Sequence, residues 1–352
     1  MALCTAALGR AKNDHSMVTE SHKLYTQGLS ELQKALWNPG LMYKDETLGA
    51  CMALAMYELT ECPSKTDYGY VSHHKGCARL IQLRGSKAYS SGLAHRIFSS
   101  FRIQGILRTL ETCQPNFLTE TKWLDHPWKH ISKSPADQIL DVLAMAPVIL
   151  TRVHAMSTLD PGSLLSTALE IMDSCRELDS SLRKIYEQLR LGYPGPLYWS
   201  EFSKTRCPLE DSSLGSSKIF PVAFHFPDLR MAKTMMYYWA TQAVLWSGMS
   251  QLSQLLLMLQ PTSGDDHMSE IPSDYYDDFI SPARNVCQSV EYCTKNDMLS
   301  LGTLTAVTPL MLIAVTLKRY PKYEREMKWV DFRLNEMRES GVRILKYSSG
   351  IE

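Results

Sequence analysis

DETLGACMALAMYELTECPSKTDYGYVSHHKGCARLIQLRG, residues Asp45 to Gly85, holds two helical patterns of different character joined by one polar connection. In the first pattern Leu48, Cys51, Met52, Ala55, Met56 and Leu59 recur at the i, i+3, i+4, i+7 spacing that draws one apolar stripe along a helix. Asp45 is placed to cap it. The second pattern starts at Ser72, carries Cys77, Leu80 and Ile81 toward a core, and stops at Gly85, where a left-handed C-cap needs no Cβ. Gly76 costs this helix about 1 kcal/mol relative to Ala, which predicts a close approach by a neighbouring helix.

The same stretch contains His73-x-x-Gly76-x-x-x-Leu80-Ile81-x-x-x-Gly85, preceded by a D-x-T-L helix that ends in Tyr57-Glu58. This pattern resembles the regulatory region of fungal zinc-cluster (Zn2Cys6) transcription factors. Ala94 to Glu111, with Phe98 and Arg102, and then Pro115-Asn116-Phe117-Leu118 and Trp123, are similar to the same family in the same order. Trp329-Val330 and the run from Leu334 to Gly341 are similar to its final helix. The resemblance implies an all-α scaffold used for effector sensing, dimerisation and contact with the transcription apparatus. The six-cysteine cluster with which the family reads DNA does not occur in this sequence. The implied role is therefore a modulator acting through partners, or a fragment of a longer factor, in the nucleus or the cytoplasm.

Composition bounds the other classes. A chain of 352 residues with 45% hydrophobic residues can bury a sizeable core. Lys plus Arg and Asp plus Glu both number 37, so net charge offers no general attraction to nucleic acid or to an anionic membrane. Lys318, Arg319, Lys322, Arg325 and Lys328 are too dispersed for a strong import signal. Nine cysteines are scattered singly with no C-x-x-C pair, which points to reduced core thiols in an intracellular, non-secreted protein. The N-terminal MALCTAALGRAKND lacks the basic start and apolar length of a signal peptide. The longest apolar candidate for a membrane span, Trp239 to Met258, is interrupted by Gln242, Gln251 and Gln254.

Taken in order, the chain reads as helix after helix. Val18, Tyr25, Leu29, Leu32 and Leu36 line one face, ended by Asn38-Pro39-Gly40. Leu93, Ile97, Phe101 and Leu110 line a later one. Pro147 predicts a break within Ser134 to Met156. Leu164, Ala168, Ile171, Cys175, Leu178, Leu182, Ile185 and Leu189 form the longest stripe, opposite a charged face that belongs at the surface. Residues 192–227 hold five prolines and a Ser-rich centre, and 261–282 is an acidic connection, so both are long loops. Asp228 caps a helix bearing Tyr237, Tyr238, Trp239 and Trp246. A helical pattern from Ala283 is interrupted near Pro309, and nothing alternates with period two for long enough to form a sheet. The expected fold is a compact multi-helix all-α array, one domain over residues 1–352, with the Asp228 to Met258 helix at the centre of its C-terminal half.

No G-x-S-x-G, G-x-x-x-x-G-K-[ST], G-x-G-x-x-G or H-E-x-x-H motif is present, which removes the most readable enzyme classes. His73 and Cys77, at i and i+4, place two ligand types on one helix face, but a core or capping histidine accounts for them without a metal. Asp274, Asp277 and Asp278, with Asn296, Asp297 and Ser300, are similar in type to the acidic and N-D-x-x-S motifs of helical terpene cyclases. However, Leu304 stands where the second motif needs Glu, and the first is not D-D-x-x-D, so a solvated acidic loop is the simpler reading. Met268, Ile271, Tyr275, Tyr276, Phe279 and Ile280 alternate with acids in the manner of an amphipathic activation segment. Tyr198, Trp199, His225, Phe226, Tyr237, Tyr238 and Trp239 are the candidate ligand-binding residues, since aromatic rings with a few polar heads suit an apolar small-molecule pocket.

Three functions are consistent with these residues. The first is a transcription-regulator-like protein working through protein partners or a homodimer, with a small apolar effector. The second is an enzyme or small-molecule-binding protein of fungal secondary metabolism on the same scaffold, in which His225 supplies the proton-transfer group. The third is a structural interaction module. No cofactor or metal is expected, nor direct binding to nucleic acid or membrane. The first reading is preferred because the resemblance spans the chain.

Overall fold

The 3.6-residue apolar periodicity is realised as helices along nearly all of the chain, and the protein is all-α. The computed structural model describes residues 1–61, 68–112, 114–205, 207, 218–259 and 274–339. These fall into two compact units, one built on residues 1–111 and 116–132 and the other on 133–336.

In the first unit, α1 (Ala2–Ala11) turns into α2 (His15–Trp37) at Asp14, whose carboxylate accepts the amides of Ser16 at 2.9 Å and Met17 at 3.2 Å. This is a true N-cap. The Asn38-Pro39-Gly40 stop ends α2 as expected, with Asn38 Oδ1 accepting from the Gly40 amide at 2.9 Å. Next comes α3 (Asp45–Thr60), held to α2 by the buried Tyr57, whose hydroxyl meets Ser21 Oγ at 2.8 Å and His22 Nδ1 at 2.9 Å. Its partner α4 spans Tyr68–Arg84, four residues earlier than Ser72. Lys44, not Asp45, is the N-cap of α3, and Asp45 pairs instead with Arg84 at the far end of α4. Gly85 has φ of 78°, the left-handed backbone anticipated for it.

The close approach predicted at Gly76 is not needed. A Cβ there would sit 3.8 Å from Cys51 Sγ, ordinary van der Waals contact. Two further helices, α5 (Gly92–Thr112) and α6 (Thr121–Asp125), close the unit around Phe98, Phe101, Phe117 and Trp123, all buried.

In the second unit, α7 (Pro135–Ala144) begins with a Ser134–Asp137 capping box, and Pro147 occupies the first turn of α8 (Ala146–Ala155), which accounts for the break between them. The long stripe becomes α9 (Pro161–Gly192), capped by Asp160. Within the expected 192–227 loop lies a short hairpin, β1 (Trp199–Phe202) antiparallel to β2 (Val222–His225), with Trp199 opposite His225 and Phe202 opposite Val222. Each strand has four residues and β1 is exposed throughout, so neither carries an alternation long enough to read.

Asp228 caps α10 (Leu229–Leu259) through the Met231 amide at 2.7 Å. This helix is central as expected, packed by α7, by α9, and by the three helices that follow, α11 (Asp274–Asp277), α12 (Ile280–Cys293) and α13 (Leu299–Leu317). The interruption expected at Pro309 does not occur: α13 continues through it, and Thr305, Ala306, Leu310 and Ile313 on either side are buried. Burial of a whole turn outweighs the one backbone hydrogen bond that proline removes. The last helix is α14 (Glu324–Glu339).

By length and hydropathy alone, two stretches among the described residues qualify as membrane spans, Ser300–Leu317 and Pro135–Thr158. The first is 72% buried as the core helix α13, and the second is two helices broken at Met145.

Candidate functional site

A cavity of about 560 Å³ lies in the second unit. Four helical elements wall it. Val142 and Leu143 come from α7; Ala146, Ile149, Leu150 and Val153 from α8; Leu164, Ile171, Cys175 and Leu178 from α9. From α10 come Thr241, Val244, Leu245, Gly248, Gln251, Leu252 and Leu255, an i, i+3, i+4, i+7 stripe along the helix. Met156, Ser157 and Leu159 close the turn after α8, and Arg319 reaches the rim from the end of α13. The volume falls within the range of small-molecule sites, and the lining is overwhelmingly aliphatic.

Three features of the wall matter chemically. Gly248 is exposed in the middle of α10, and a Cβ built on it would meet nothing within 4 Å. No packing partner therefore explains the roughly 1 kcal/mol that a helix-interior glycine costs. Thr241 borders the cavity with its Oγ1 buried and without a hydrogen-bond partner. Among the described residues, the ionisable side chains on the wall are Cys175 and Arg319. Burial pushes the Cys175 thiol up to about 12, which leaves it protonated and unreactive near neutral pH. Arg319 is exposed and makes no ion pair within the described residues.

The seven aromatic candidates lie elsewhere in the same unit. Trp239 meets Tyr198 edge-on with ring centroids 5.0 Å apart, and Phe226 packs on Tyr292 at 5.3 Å. Tyr238 stacks on Tyr186 at 5.0 Å, and Tyr237 is buried. Trp199, 42% exposed, lies over His225 on the hairpin. His225 Nδ1 is 3.1 Å from Lys295 Nζ and its Nε2 is 3.5 Å from Glu201. Burial first, then the Lys295 charge, lowers its pKa against the pull of Glu201 and Glu291. None of the seven lines the cavity. The signal that could have located it is the α8 to α10 run of aliphatic residues on more than one helix face, which reads equally well as ordinary core.

His73 and Cys77 both meet Cys51, whose thiol donates to the His73 carbonyl oxygen at 3.7 Å. His73 Nε2 is 3.5 Å from the Tyr25 hydroxyl, while the Cys77 thiol hydrogen-bonds Cys51, which lowers the pKa of Cys51 and raises that of Cys77. Of the acidic residues, Asp277 accepts from Ser250 and Asp278 accepts from Ser281 at 2.7 Å. Tyr276, Phe279 and Ile280 of the amphipathic segment are buried, and Met268 and Ile271 lie outside the described residues.

A family model described as "fungal specific transcription factor domain" matches residues 1–188, more than half of the chain. The chain belongs to that family. The match runs from α1 through the cavity-lining part of α9, so α7, α8 and most of α9 are family elements, while α10 and Arg319 lie beyond it. This fungal transcription factor domain is 30% identical over 121 residues to an uncharacterized protein of Emericella nidulans, an alignment covering 34% of this chain and 26% of that protein. The match thus spans about a quarter of that relative's length. No solved structure matches the domain.

Proposed function

We propose that this chain is an effector-sensing module of a transcription regulator, and that the cavity between α7, α8, α9 and α10 takes a small apolar molecule. The observation that carries this reading is Gly248: a glycine inside a central helix, unused by any neighbour, at the point where the helix backbone faces the open cavity. A glycine in such a place lets a ligand lie directly against the helix. Sensing is favoured over catalysis because the described residues of the wall include no His, Asp, Glu or Lys to move a proton, and the Cys175 thiol is held protonated. The regulatory role follows from the family, and the module works in the nucleus or the cytoplasm, through protein partners or a second copy of itself. α8 packs on α7 and α9 and lines the cavity opposite α10, so a bound molecule bridges α8 and α10 and can bias a partner surface.

The test is native mass spectrometry and thermal unfolding of the chain with and without a fungal metabolite extract, repeated on Gly248→Leu. A retained small molecule that raises the unfolding temperature of the wild type, and is lost in Gly248→Leu, supports the reading. Retention that survives Gly248→Leu but is lost in Trp239→Leu would move the site to the aromatic group. No retained molecule, with partner binding unchanged in Gly248→Leu, would sink it.

A further inference from the structure

Arg319 is the one charged side chain among the described residues of the cavity wall, and the backbone that carries it is held in place. Tyr320, the neighbour of Arg319, is pinned onto α10 by two hydrogen bonds: its hydroxyl accepts from Gln251 Nε2 at 2.8 Å and lies 3.0 Å from Ser247 Oγ. Gln251 itself lines the cavity. The backbone that carries Arg319 is thereby held beside the Gln251 end of the lining stripe. Ten residues separate Thr241 from Gln251 on α10, about 15 Å of helix at 1.5 Å per residue. Val244, Leu245 and Gly248 fill that interval, so an apolar track leads to the guanidinium. No acidic residue is among the described residues of the wall.

We infer that the ligand of this cavity is an elongated apolar monocarboxylate, its hydrocarbon part lying along α10 over Gly248 and its carboxylate paired with Arg319. This rests on the reading of the cavity as an effector site and adds the chemical class. A guanidinium matches a carboxylate with two parallel N–H···O bonds and stays charged at any pH the cell meets. One cation balances one negative charge, which disfavours a phosphate ester carrying nearly two. Gln251, whose side chain already donates to Tyr320, keeps its amide oxygen for a second donor and repels no anion by charge.

The experiment compares dodecanoic acid with dodecan-1-ol, equal in chain length and differing in charge, by calorimetric titration of the full chain near neutral pH. The acid binds more tightly by about tenfold or more, the increment of one charge-assisted pair. Arg319→Gln brings the acid down to the level of the alcohol and leaves the alcohol unchanged, since Arg319 is exposed and no fold contact is lost. Gly248→Leu removes both. Equal binding of acid and alcohol, insensitive to Arg319→Gln but lost in Gly248→Leu, would overturn the carboxylate assignment and leave the cavity reading standing. Binding of neither probe overturns the assignment as well, and the extract experiment on Gly248→Leu then decides the cavity reading by itself.

Discussion

The indole N–H of Trp246 on α10 donates to the Asp179 carboxylate on α9 at 2.8 Å, and Asp179 is completely buried. Its second oxygen lies 2.7 Å from Arg183, an ion pair without hydrogen-bond geometry. Asp179 follows the cavity-lining Leu178, so this bond ties two walls of the cavity together. Trp246→Phe keeps most of the ring's burial and removes the donor, leaving a buried carboxylate short of one partner. The expected cost is about 1.5–3 kcal/mol, with the cavity loosened at the same time. Chemical denaturation gives the first quantity; an unchanged midpoint would mean that water or Arg183 fully replaces the indole.

Among the described glycines, Gly302 on α13 is the one whose added Cβ would come closest to backbone. A Cβ there would lie 2.0 Å from the carbonyl oxygen of Cys293 and 2.6 Å from Met298 Cβ. The first is backbone and cannot swing aside. Gly302→Ala must therefore part α12 from α13, at an expected cost of 3 kcal/mol or more, above the usual range for overpacking because backbone has to move. Gly76→Ala, with 3.8 Å of room, should be neutral or stabilising by up to about 1 kcal/mol. Unfolding both variants side by side separates the two roles, and an equal loss in both would show that the Cys51 neighbourhood is tighter than the distance indicates.

That contrast shows where the sequence is legible and where it is not. Helix content, the stops at Asn38 and Gly85, the Pro147 break and the Asp228 cap all follow from local chemistry, and each appears in the structure. Which glycine is squeezed depends on interhelix distance, which no single helix encodes. The hairpin was invisible because four-residue strands carry no usable alternation. The cavity was illegible for a related reason. Its lining is aliphatic, and from the residues alone an aliphatic face against core and one against an open space look the same. Aromatic rings with polar heads drew attention to Tyr198, His225 and Trp239, yet such rings also satisfy one another, as the Tyr198–Trp239 contact at 5.0 Å illustrates.

His74 on α4 introduces a pH dependence whose sign can be worked out. Its ring stacks on Phe101 at 5.0 Å and its buried Nε2 has no hydrogen-bond partner. Burial, reinforced by the charge of Arg108, lowers its pKa from 6.5 to about 4. The unfolded chain therefore binds a proton that the folded chain refuses between these values. Stability contributed by this site is complete above pH 6.5, falls as pH drops toward 4, and is then lost, a span of roughly 3 kcal/mol. His74→Phe retains the stacking and removes the titration. Denaturation midpoints measured across this interval should flatten in the variant, and a slope identical to wild type would assign the acid sensitivity to other groups.

Glu291 on α12 clasps the strand end that follows β1. Its carboxylate accepts from Ser203 Oγ at 2.7 Å, from the Lys204 amide at 2.9 Å and from the Thr205 amide at 3.3 Å. Burial opposes its ionisation, but these donors together outweigh burial and hold its pKa below the ordinary glutamate value. The clasp is accordingly present above the unfolded-state pKa and released as pH falls through the lowered folded one. Glu291→Gln offers a single acceptor oxygen where the carboxylate offers two, and it lacks the charge that strengthens them. In hydrogen exchange the Lys204 and Thr205 amides should then open about tenfold more often, the equivalent of 1.4 kcal/mol of local protection. The α10 amides should stay as slow as before, because the core of the unit does not depend on the hairpin end. Exchange that quickens equally in α10 would make Glu291 a support for the whole unit instead of a clasp for one strand.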